Sequence, residues 1–153
     1  MISYLEKLII KNTKTPFYFY DLNTVETNYQ SLQNALTAKF KIYYSMKANP
    51  HLKILTKIKA LGARVDISSE GELRRAQQAG FLGEDMSFVG PGKSFDELYL
   101  AVEQNVAMIV VESLGELEAL AKISENLNTL VKICIRINPD YYVVDRDMKI
   151  KEI

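Results

Sequence analysis

Five short apolar runs punctuate the chain, beginning near Lys41 (KIYYSM), Arg64 (RVDI), Met86 (MSFV), Ala107 (AMIVV) and Val131 (VKICIRI). Each has the length of a strand, and successive starts lie 21 to 24 residues apart. Between them hydrophobic positions recur at helical spacing, as in Leu52, Leu55, Ile58 and Leu61. Three of the predicted helices open alike, with Ser69 before Glu72, Ser94 before Glu97 and Ser113 before Glu116. This is the spacing of a capping box, in which the serine accepts a bond from a free helix amide and the glutamate returns one. Gly62 and Gly80 stand where two helices should stop. The alternation of strand and helix predicts right-handed crossovers and hence a parallel sheet.

The polarity of single strands refines that picture. In Lys132–Asn138 the isoleucines 133, 135 and 137 share one face, while Cys134, Arg136 and Asn138 share the other. Arg64-Val65-Asp66-Ile67 splits in the same way. A sheet buried under helices on both sides is apolar on both faces, whereas a closed barrel holds polar residues toward its mouth. The expectation is therefore an α/β fold, a partial (β/α)8 barrel with about five of the eight strands. A complete barrel of this kind needs about 250 residues, so the chain reads as the front part of a larger protein. Its last stretch, Asp145–Ile153, is charged and holds no closing element.

Composition narrows the function classes. The 153 residues are 48% hydrophobic, and 19 basic side chains balance 19 acidic ones. Neither nucleic acid nor an anionic membrane is an expected partner of so neutral a surface. The chain has no run long enough to span a bilayer and no signal-peptide pattern at Met1–Glu6, which points to the cytoplasm. A single cysteine, Cys134, and a single histidine, His51, exclude an internal disulfide framework and a cysteine- or histidine-rich metal site. His51 reads as a surface residue at a helix start, and Gly90-Pro91-Gly92 as a turn.

The candidate chemistry lies at the strand ends. Lys47 closes the run Ile42–Met46 just before Ala48-Asn49-Pro50, and period-two alternation groups it with Tyr43 and Ser45. In a central strand it would point into a covered interior, where a desolvated amine becomes a nucleophile toward carbonyl compounds. Asp66 and Arg136 fall at the carboxyl ends of two other strands. An amine, an acid to manage its proton and an arginine for an anionic oxygen suit carbonyl chemistry. The alternative reading is a buried ion pair between Asp66 and one of the two bases.

Tyr44-Ser45-Met46-Lys47-Ala48-Asn49-Pro50 resembles the pyridoxal-phosphate lysine motif of the fold-type III decarboxylases, which act on ornithine, diaminopimelate, arginine and related amino acids. The likeness continues through Asp66–Leu73, Gly90-Pro91-Gly92-Lys93 and Arg136-Ile137-Asn138-Pro139, and upstream through Thr15–Asp21. It implies that Lys47 forms the internal aldimine with pyridoxal 5'-phosphate and that Asp66 and Glu72 are acids beside it. It likewise places Arg136 by the cofactor ring near the phenolic oxygen, and implies a homodimer for full-length proteins. Residues 1–21 would carry a strand, Phe17–Tyr20, belonging to a separate C-terminal β-domain, and residues 22–153 an incomplete alanine-racemase-like barrel. The histidine stacked on the ring, the phosphate loop and the acid paired with the pyridine nitrogen lie later in such proteins, which implies weak or no cofactor binding by this stretch alone. Met148-Lys149-Ile150 is similar to a segment of the branch that acts on acyl-carrier-linked substrates. The other readings are a non-catalytic remnant or interaction subunit and an alanine-racemase-like barrel protein.

Overall fold

In a computed structural model, residues 4–37, 39–139, 143–144 and 150–151 are described. The chain begins with helix α1 (Tyr4–Asn12) and helix α2 (Leu22–Ala35), the latter capped by the Asp21 carboxylate, which accepts from Asn23 N at 2.9 Å. Then follow β1 (Tyr43–Ser45), α3 (Leu52–Ala60), β2 (Arg64–Ile67), α4 (Glu70–Gln78), β3 (Met86–Phe88), α5 (Phe95–Glu103), β4 (Met108–Val111), α6 (Leu114–Leu127) and β5 (Ile133–Ile135). The strands form one parallel sheet in the order β1-β2-β3-β4-β5. Sequential order with helical crossovers is the topology of barrel strands, as the 21-to-24-residue repeat predicts. A separate antiparallel pair joins β6 (Val143–Val144) to β7 (Ile150–Lys151). Met148 and Lys149 lie outside the described residues.

Register sorts the sheet into two faces. Pairing Ser45 with Asp66, Asp66 with Ser87 and Ser87 with Met108 puts these side chains on one side, together with Val110 and Cys134. The other side carries Val65, Ile67, Met86, Phe88, Ile109 and Val111, all buried beneath the helices. Each helix presents a stripe at helical spacing to that layer: Ile54, Leu55 and Ile58 from α3, Leu73 and Ala76 from α4, Leu98, Ala101 and Val102 from α5, Leu120 and Ile123 from α6. Through β2 and β3 the polar-against-apolar alternation expected of a barrel is the observed division of faces, whereas β4 puts Met108 and Val110 on the otherwise polar side.

The helix ends repeat one device. Gly62 and Gly80 have φ of 87° and 89°, and each follows a helix whose last carbonyls accept in the Schellman pattern. Asn105, at φ 55°, ends α5 in the same way, and Asn128, at φ 46°, caps α6, a role the sequence reading does not assign to either. Asparagine tolerates the left-handed region better than other residues with a side chain beyond glycine's hydrogen, so these are the same stop written with another letter.

Phe17–Tyr20, expected to pair with a separate β-domain, forms no ladder among the described residues, and helix α1, which the sequence reading does not foresee, precedes it. One expectation needs revision. The three serine–glutamate pairs differ from one another. All three serines accept from the glutamate amide, but only Ser94 among them receives the full reciprocal bond, Ser94 N donating to Glu97 Oε2 at 3.0 Å. The carboxylates of Glu72 and Glu116 reach one residue further back, to Ser68 N at 2.7 Å and Glu112 N at 2.8 Å.

Candidate active site

The carboxyl ends of the parallel strands define the mouth of the sheet. β1 stops at Ser45, one residue sooner than its hydrophobic run suggests, and Met46–Ala48 tighten into a 3-10 turn. Packing decides this: Met46 is drawn fully into the core, and the Tyr44 hydroxyl donates to Asn49 O at 3.1 Å across the turn. The turn packs against β2 and leaves Lys47 exposed. Among the described strands β1 is an edge of the sheet, so the condition for a desolvated lysine, a strand with neighbours on both sides, is not met here, and Lys47 leaves β1 on a turn rather than along the pleat.

Asp66 sits abreast of Ser45 and accepts from the Ser87 hydroxyl at 2.6 Å. Ser87 is buried, and its short hydrogen bond orients the carboxylate. The alternative of an ion pair between Asp66 and Lys47 or Arg136 is not found among the described salt bridges. Glu72, in the first turn of α4, accepts from both Ser68 N and Ser68 Oγ, at 2.7 and 2.9 Å. It shapes the loop after β2. Arg136 lies three strands round from Asp66, on the order of 14 Å along the sheet. Arg136 N donates to Val111 O, extending the β5 pairing, while Nη1 donates to Glu112 Oε2 at 3.1 Å and Nε to Asn138 Oδ1 at 3.1 Å. His51 caps α3, its Nδ1 accepting from Lys53 N, and Gly90-Pro91-Gly92 is a turn with both glycines at positive φ, as expected.

Sequence reasoning passed over Glu112 and Ser87. Glu112 follows β4 as Arg136 follows β5, so the rule that singles out strand-end polar residues would have found it. Ser87, in the middle of a buried strand, carries no such signal. Behind the mouth, Glu116 and Lys93 form a buried ion pair at 3.0 Å. Burial pushes the Glu116 carboxyl up, but the Glu112 amide and then the Lys93 ammonium and amide outweigh it and hold the group below the usual carboxylate range.

Fold and mouth together define a β/α-barrel-type domain that presents a lysine, hydrogen-bonded acids and an arginine at the carboxyl ends of its strands. The chain belongs to the pyridoxal-dependent decarboxylases: residues 22–148 match the family described as "Pyridoxal-dependent decarboxylase, pyridoxal binding domain". It is 36% identical to L-glutamyl-[BtrI acyl-carrier protein] decarboxylase of Niallia circulans over 86% of this chain and 31% of that protein. To diaminopimelate decarboxylase of Helicobacter pylori (strain J99) it is 36% identical over 92% of the chain and 34% of the relative. Its structure superposes on that of Helicobacter pylori diaminopimelate decarboxylase complexed with L-lysine with a TM-score of 0.81 and 33% identity, over 88% and 34% of the two chains. Lysine decarboxylase from Selenomonas ruminantium gives a TM-score of 0.77 at 30% identity, over 90% and 36%. The chain spans about a third of the length of the curated relatives it matches.

The residues at the mouth suit the cofactor of that family. A carbonyl cofactor needs an accessible primary amine, and Lys47 is exposed on its turn. It needs donors for an anionic ring oxygen, and among the described residues Arg136 uses Nη1 and Nε on Glu112 and Asn138, with further guanidinium N–H groups not bonded there. No helix among the described residues is long and apolar enough to cross a membrane.

Proposed function

We propose that this chain is the lysine-bearing, N-terminal part of a pyridoxal-phosphate amino-acid decarboxylase of the diaminopimelate/ornithine type, with Lys47 as the residue that holds the cofactor. The observation that carries the reading is the placement of Lys47, Asp66 and Arg136 at the carboxyl ends of parallel strands that run in barrel order. When bound, the cofactor supplies the electron sink for loss of carbon dioxide from the substrate's α-carbon.

The chain's own residues do the rest. Lys47 Nζ is the amine that would hold the cofactor's carbonyl group. Asp66, aimed by the Ser87 hydroxyl, stands on the strand beside the lysine turn, where a carboxylate keeps an amine supplied with a proton partner. Glu72 fixes the loop after β2 through Ser68 and so sets the wall of the site next to Asp66. Arg136, on the far side of the mouth, would supply a donor for an anionic oxygen of the cofactor ring. The same reading extends to a two-copy assembly in the cytoplasm and to an amino acid, free or carrier-linked, as substrate.

Borohydride reduction in the presence of pyridoxal 5'-phosphate, followed by peptide mass spectrometry, tests the assignment. Label should concentrate on the peptide containing Lys47 and disappear from it in Lys47→Ala. Label spread evenly over the surface lysines, with the Lys47 peptide no richer than the others, would overturn it.

A further inference from the structure

Behind the mouth, two loops are locked together by a closed ring of hydrogen bonds. Lys93 Nζ donates to Gly90 O at 2.6 Å and pairs with Glu116 Oε2 at 3.0 Å. Glu116 Oε2 in turn accepts from Glu112 N at 2.8 Å, and Glu112 Oε1 accepts from Gly90 N at 2.9 Å. A cross-brace, Lys93 N donating to Glu116 Oε1 at 3.2 Å, stiffens the ring. Lys93 and Glu116 are 7% and 5% exposed. Charges so deeply placed are costly to keep unless each has its partners; here Lys93 and Glu116 bond to each other across the two loops, and each also bonds within its own loop, Lys93 to Gly90 O and Glu116 to Glu112 N. One arm leaves the ring toward the mouth: Glu112 Oε2, which accepts from Arg136 Nη1. Glu112 is held at its amide by Glu116 and at one carboxylate oxygen by Gly90, so its remaining oxygen has a fixed direction.

We infer that the buried Lys93–Glu116 pair is a positioning device for Arg136, acting through Glu112 on the guanidinium that faces the cofactor site. Arg136 itself stands on an exposed strand end, with its side chain about half open to solvent. A long side chain there samples many rotamers unless a bond restricts it. The ring supplies that restriction through the carboxylate of Glu112. The inference rests on the proposed cofactor contact of Arg136 for its functional meaning, but the coupling itself is a property of the chain.

Side-chain NMR on the full chain reads the coupling without cofactor. The Arg136 Nη signals should be ordered in the native protein and should shift toward the mobile, solvent-averaged position in Glu112→Gln and in the paired variant Lys93→Met/Glu116→Gln, while Nε–H, which is bonded to Asn138, serves as the internal reference. Glu97→Gln, which breaks a comparable latch between α4 and α5, should leave the Nη signals unmoved. An Arg136 Nη signal equally ordered in Glu112→Gln overturns the inference. That variant lies at the partly exposed mouth, so this holds even if the buried double variant does not fold. An ordered signal in a folded Lys93→Met/Glu116→Gln protein overturns it as well. Cofactor affinity then separates the two claims. With both correct, Glu112→Gln weakens pyridoxal 5'-phosphate binding about tenfold, the size of one lost charge-assisted bond. If Arg136→Ala leaves the affinity unchanged while the NMR coupling persists, the contact between Arg136 and the cofactor is wrong and the positioning device stands.

Discussion

β3 and β5 are strands of equal length in the same parallel sheet, yet every residue of β3 is buried and every residue of β5 is exposed. Both carry strand-forming residues, so intrinsic preference does not separate them. Position does. β3 has a strand on each side and the α4 and α5 stripes over its apolar face, whereas β5 pairs only with β4 among the described strands. Phe88 is 0% exposed and Ile135 is 68% exposed. The apolar core of this chain is therefore a feature of β2 to β4, and the mouth residues borrow their order from it to unequal degrees. Asp66 and Glu112 stand on or just after interior strands and are held by interior partners; Lys47 and Arg136 stand on edges.

The widest test of that contrast is Phe88→Ala. Removing a wholly buried ring leaves a cavity lined by neighbours that cannot all close in, and should cost about 3–5 kcal/mol in urea unfolding. A loss under about 1 kcal/mol would mean that β3 is not the packed centre of the sheet.

Acid should attack the same centre through its polar latches. The carboxyl of Glu116 is driven up by burial and, by more, down by its amide and lysine partners, while that of Glu97 is lowered first by the Ser94 amide. Both groups titrate lower in the folded chain than in the unfolded one. Their stabilisation is fully present above the unfolded value, about pH 4.3, and is lost as pH falls through their folded values. Urea midpoints should hold steady from pH 7 to pH 5 and drop steeply below about pH 4. In Glu97→Gln/Glu116→Gln the drop should flatten, and an unchanged acid slope in that variant would remove these two groups from the account.

How much of this was legible beforehand follows from the same contrast. The strand starts near residues 64, 86 and 107 fall within one residue of β2, β3 and β4, because interior strands are fixed by their own apolar residues. Lys47 was placed one residue too far along a strand, since whether Met46 extends the pleat or turns into the core depends on packing from α3 and β2. The spacing of Ser113 and Glu116 announced a helix start, but not that the carboxylate would meet Glu112 N and Lys93. Lys93 is close only after two successive β–α loops have come together. Ser87 was invisible for the opposite reason: a serine in an apolar run gives no hint of a carboxylate on the next strand.

Helix caps offer a finer measure. Ser94→Ala removes the acceptor for Glu97 N and a partner of the Glu97 carboxylate, within the one full capping box of the three. It should cost about 1 kcal/mol. In Ser69→Ala the glutamate remains anchored on Ser68 N and Ser68 Oγ, so the loss should be visibly smaller. Equal losses in the two variants would show that the reciprocal bond adds nothing beyond the serine acceptor.

The smallest expected effect is the sharpest on the edge strand. Ile135→Thr keeps the β-branch and the ladder position, so the pairing of Ile135 with Val111 is retained and only the apolar side chain is exchanged. At an exposed site such a change should stay within about 0.5 kcal/mol. Exposed apolar surface of this kind, extended by Ile133 and by Ile137 at 80% exposure, is also where a second surface would settle. If Ile135→Thr instead destabilised the chain by more than about 1 kcal/mol, and did so increasingly at higher protein concentration, then β5 would be covered in solution. The difference between it and β3 would then be one of partner rather than of fold, because a side chain covered by another chain loses apolar burial when truncated just as a core residue does.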